Sequence, residues 1–199
     1  MVIAWALAAA RPASEWAWAF DSLHWTCAFC VAAWIAWRAG RAAAGDTGRV
    51  RRRFAAGLIL LACGQLAWDL LSTIGWNPFP GIPNLLYLAM SPCFVLGFGA
   101  MLGDQISGPQ RRSVILDVTG FALAVLAFTL ALYLPHADPG APVTFIVLTG
   151  YPVLLFGATA AGVVVQLHLR QRPTPATLAV VGGLGGFGAL WMAWNLAFL

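Results

Sequence analysis

The chain has 199 residues, 61% of them hydrophobic and 9% charged, with a formal net charge of +4. Soluble domains carry about 25% charged residues, and so few polar side chains cannot cover the apolar surface of a soluble fold this size. All eleven basic residues are arginine, which excludes a lysine-bound retinal, and their clustering in short stretches between apolar runs speaks for membrane loops rather than a nucleic-acid face.

Spanning a bilayer takes about 20 mostly apolar residues. Six stretches qualify: 17–38, 54–76, 83–103, 113–134, 143–168 and 176–199. The expected fold is an all-α polytopic membrane bundle, one transmembrane domain over 1–199. No basic residue precedes the apolar residues 1–10, as a signal peptide requires, so they read as a lead-in at the interface, with Trp5, Trp16 and Trp18 suited to that depth. The first span carries His24, Cys27 and Cys30 at three-residue steps. Such steps drift round a helix and do not converge on one ion, so no metal and no cofactor are expected.

The first connection holds Arg38, Arg41, Arg49, Arg51, Arg52 and Arg53; the third holds Arg111 and Arg112, and the fifth Arg170 and Arg172. The second (76–81) and fourth (135–140) hold none, and Arg11 alone departs from the pattern. The positive-inside rule puts the arginine-rich connections in the cytoplasm and the N-terminus outside. The chain then stops after an outward-going sixth span, which suggests a fragment of a longer protein.

The second span places Gln65, Trp68, Asp69, Ser72 and Thr73 at i, i+3, i+4, i+7 and i+8, on one helical face. Polar stripes in membrane helices face the bundle interior or water rather than lipid. Asp69 lies 16 residues beyond Arg53, or about 24 Å along a helix, in the outer third of the core. His24, Asn84, Tyr87 and Asn195 come to a similar depth. His24, Gln65, Trp68, Asp69, Asn84, Tyr87, Trp191 and Asn195 form the candidate vestibule for a small ligand, Trp68, Trp191 and Trp194 being its walls. An alternative is that they bond one another and hold the helices in register. His24, one helix before Asp69 and level with it, is the expected partner of its carboxylate. Gly182 and Gly186, four apart in the sixth span, predict a close helix approach. Asp117, near Arg111 and Arg112, reads as an anchor in the first turn of the fourth span. No catalytic constellation is evident in this region.

The stretches Gly64-Gln65-Leu66-Ala67-Trp68 and Asn77-Pro78-Phe79-Pro80-Gly81-Ile82-Pro83-Asn84-Leu85-Leu86-Tyr87-Leu88 resemble the N-terminal membrane domain of bacterial cyclic-di-GMP signalling proteins that carry GGDEF and EAL output domains. Tyr151-Pro152 is similar to that family's later Y-P pair. Asn84 replaces the family's Asp, Gly81 its Ser, and the acid after the later pair is absent. The resemblance implies a sensory input domain of the bacterial inner membrane, passing a periplasmic or membrane signal to a cytoplasmic cyclic-di-GMP module. The partners it implies are the lipid bilayer, a small ligand, and a second copy joined through the output domain. A small permease and a membrane anchor or assembly subunit are the competing expectations.

Overall fold

The computed structural model of the chain describes residues 17–103, 105–170 and 172–198. It is an all-helical bundle: α1 (Ala17–Ala42), α2 (Gly45–Thr73), α3 (Ile82–Leu102), α4 (Gly108–Tyr133, continued by a 3-10 turn Leu134–His136), α5 (Pro142–Leu169) and α6 (Pro175–Phe198). All six are long and apolar enough to cross a membrane. The residues 1–16 that would form the interfacial lead-in lie outside the described part.

The helix ends follow from local chemistry. Ser107 accepts from the Gln110 N–H while its own N–H donates to Gln110 Oε1 at 2.9 Å, a capping box with Pro109 in the first turn. Gly81 N–H donates to Asn84 Oδ1 at 2.8 Å, with Pro83 in the first turn of α3. Thr174 Oγ1 accepts from the Thr177 N–H ahead of Pro175. Proline suits these positions because it has no N–H to leave orphaned.

Three helices, α1, α2 and α4, outrun their apolar windows at the arginine-rich end. The arginines of the first connection are helical, in α1 as far as Arg41 and in α2 from Arg49, which leaves 43–44 as the link. Arginine is a good helix former, and its stem lies along apolar surface while the head stays wet. The Arg38 and Arg41 guanidinium groups lie over the rings of Trp34 and Trp37, 5.4 and 5.0 Å from their centroids. The start of α4 at Gly108 moves Asp117 well past the first turn. Asp117 is exposed, Arg111 donates instead to the Gly103 carbonyl at 2.8 Å, and the anchoring role is not seen.

The central pair is α3 against α5. On one flank α2 packs on α3 and α1 on α2; on the other, α4 and α6 pack on α5. Tyr87, Met90, Phe94 and Phe98 form the buried stripe of α3, at spacings of three and four, and meet Tyr151, Leu155, Ala158 and Val165 of α5. Glycines let rings enter the neighbouring helix. A Cβ on Gly64 would stand 2.7 Å from the Tyr87 ring, and one on Gly97 would stand 2.6 Å from Phe54. In α6 the close approach is at Gly188, against Leu155 and Phe156, whereas Gly182 and Gly186 face open space. The expected Gly182–Gly186 contact is thus misplaced. Docking of Phe187, Trp191 and Asn195 fixes the rotation of α6 and turns those two glycines outward.

Candidate functional site

A cleft of about 520 Å³ opens at the end of the bundle away from the arginine clusters. It lies between α1 and α6, whose backbones make no close approach; the Phe29 and Phe187 rings bridge them, centroids 6.3 Å apart. Helix α1 contributes Asp21, Ser22, Trp25 and Phe29, and α2 contributes Gln65, Trp68 and Ser72. Phe79 comes from the second connection, Asn84 and Tyr87 from α3, and Thr144 and Leu148 from α5. Helix α6 supplies Phe187, Leu190, Trp191, Trp194 and Asn195.

The floor is polar and bonded. Tyr87 O–H donates to Gln65 Oε1 at 2.9 Å, and Gln65 Nε2 donates to Asp69 Oδ1 at 2.9 Å. The other Asp69 oxygen accepts from the Thr26 hydroxyl of α1. Asn84, 2% exposed, does double duty: Oδ1 caps α3, and Nδ2 donates to Tyr151 O–H at 2.9 Å. The Tyr151 ring lies flat on Trp191, centroids 4.2 Å apart and planes 3° from parallel, and Trp194 continues the stack at 5.7 Å. Two hydrogen-bonded chains, one joining α1, α2 and α3 and one joining α3 to α5, thus meet beneath the aromatic walls.

Pro152 explains Asn195. A proline inside a helix cannot donate to the carbonyl four residues back, here that of Leu148. Asn195 Nδ2 of α6 supplies the missing bond at 2.8 Å and is itself 1% exposed. A carbonyl without a partner at this depth would cost several kcal/mol, so the proline and the asparagine act as a unit that locks α6 to α5.

Six of the eight predicted residues therefore line one cleft: Gln65, Trp68, Asn84, Tyr87, Trp191 and Asn195. Asp69 lies behind Gln65, and Thr73, also in the stripe, turns back to the Asp69 carbonyl at 2.7 Å. His24 does not belong to the cleft, and its expected pairing with Asp69 is overturned. The face that α1 presents is Ser22-Trp25-Phe29, with His24 more than a quarter turn round. Thr26 and Gln65 occupy the Asp69 carboxylate, while the His24 ring packs on Trp25 at 4.9 Å and its buried Nδ1 has no hydrogen-bond partner among the described residues.

Sequence reasoning missed the α1 wall and Tyr151 as a structural member of the site. The signal for the wall was present, since Ser22, Trp25 and Phe29 recur at helical spacing, as do Phe187, Trp191 and Trp194. Comparison with protein-family models, curated proteins and solved structures found no match to this chain.

Proposed function

We propose that this chain is a sensory input domain of a bacterial inner membrane, binding a small ligand in the cleft and relaying helix displacement to the arginine-rich end. The observation that carries the reading is the cleft itself: aromatic walls over a bonded polar floor, of a size typical of ligand sites. The positive-inside rule supports a mouth on the outer side. A ligand held between α1 and α6 would favour one spacing of two helices that lack mutual backbone contact, and such differential affinity is what shifts a two-state equilibrium. Below the floor the centre is filled by Leu61, Met90, Phe94, Phe98 and Leu155; a permease needs a polar path there. The resemblance in the second and third spans supports a cyclic-di-GMP module as the output.

The reading is tested on the purified chain in nanodiscs after replacement of the native cysteines. Cysteines at Trp68 and Trp194 should react with an impermeant thiol reagent, and a cysteine at Phe98 should not. A solute panel screened by melting temperature should yield a binder that also changes the distance between spin labels at Ala43 and Thr174. Binding without any label movement would sink the sensing role. Accumulation of that solute inside proteoliposomes would replace it with transport.

A further inference from the structure

We infer that the ligand class of the cleft is an organic ammonium ion, an inference that rests on the cleft being a ligand site. Two independent observations point to it. The walls carry Trp25, Trp68, Trp191 and Trp194, with Tyr87 at the floor, and tryptophan faces are the strongest side-chain partners for quaternary ammonium groups. The electrostatics agree. Among the described residues Asp21 at the rim is the single formally charged lining residue, and none of those lining residues is basic. Asp69 stands behind Gln65, and the arginines among the described residues gather at the opposite end of the helices. Clefts with low-dielectric walls and one sign of charge concentrate ions of the other sign.

Among the described residues an anion would find a carboxylate at the rim and no cation to meet it. A neutral apolar solute would gain nothing from Asp21. An ammonium ion gains from the carboxylate and from the ring faces, and the apolar surface of Phe29 and Phe187 suits its alkyl groups. Trp68 is the most informative wall residue, because among the described residues its ring stacks on no other ring. Its face is therefore the one whose removal disturbs the packing least.

Choline and neohexyl alcohol, its uncharged carbon isostere, separate charge from shape. The chain in phosphatidylglycerol nanodiscs is titrated with each while tryptophan fluorescence is followed. Choline should bind saturably, about ten-fold tighter than the alcohol, as a desolvated cation–π contact implies. Trp68→Leu should remove most of that advantage, so that the variant binds choline and the alcohol with similar affinity. Asp21→Asn, at an exposed position, should weaken choline about three-fold, and less at high salt.

Equal affinity for the two compounds would overturn the ammonium assignment while leaving the cleft a ligand site. Saturable binding of neither would overturn it too, and the thiol labelling at Trp68 and Trp194 then decides separately whether the cleft is open. Phosphatidylcholine nanodiscs distinguish the source. Unchanged choline affinity assigns the ammonium to a free solute, and weakened affinity assigns it to a lipid headgroup that occupies the same walls.

Discussion

Asn84 and Asn195 are each nearly inaccessible and each hold backbone as well as a neighbouring helix. Asn84 caps the Gly81 N–H and donates to Tyr151. Replacing it with leucine leaves a half-buried N–H and a buried hydroxyl unpaired, at a cost of about 2 kcal/mol. Aspartate, the residue of the resembled family, keeps the cap and can accept from the Tyr151 hydroxyl, so Asn84→Asp should lose about half as much. Reversible unfolding in mixed detergent micelles reads both, and equal losses would show that Tyr151 does not turn its proton. Asn195→Ala leaves the Leu148 carbonyl unpaired and should cost about 2–3 kcal/mol in the native background. In a Pro152→Ala background residue 152 regains an N–H for the Leu148 carbonyl, and the same change should cost much less. A strictly additive double-mutant cycle would show that Asn195 does not serve the carbonyl that Pro152 frees.

At the scale of the helices, the glycines divide by what they face. Gly64 receives the Tyr87 ring, so Gly64→Ala must push that ring away from Gln65 and is expected to destabilise by about 1–3 kcal/mol, as overpacking does. Gly186→Ala faces open space and should be neutral or slightly stabilising, since alanine favours the helix by up to about 1 kcal/mol. Melting temperatures of the two variants in one detergent give the comparison, and the reverse order would mean that α6 is rotated from the position described. Helix extent was legible to within a few residues at most ends. The exceptions were the starts of α2 and α4, where arginine-bearing segments continue a helix beyond the apolar window from which a span is read.

Over the whole molecule, the ten arginines between Arg38 and Arg172 belong to the three connections, or their flanking helical turns, at one end. The cleft occupies the other end, so orientation and ligand access are a single question. A reporter active in the cytoplasm should work when inserted at Ala44 or Gly108 and fail at Gly81 or Gly140. The opposite pattern would turn the cleft toward the cytoplasm and remove the outside signal from the proposal.

The sequence by itself determined the helices, their number and the polar face of α2, because each depends on local composition and on a period of 3.6 residues. It also brought Gln65, Trp68, Asn84, Tyr87, Trp191 and Asn195 to a common depth, since depth along a helix is a matter of counting. What counting cannot supply is the rotation of each helix about its axis and the choice of neighbours. Those were decided by the entry of rings beside Gly64, Gly97 and Gly188 and by the Asn195 bond to the Leu148 carbonyl. They turned Thr26 rather than His24 toward Asp69 and faced Gly182 and Gly186 away from α5. They also left α1 and α6 apart with a cleft between them, an arrangement fixed by contacts between residues far apart in the chain.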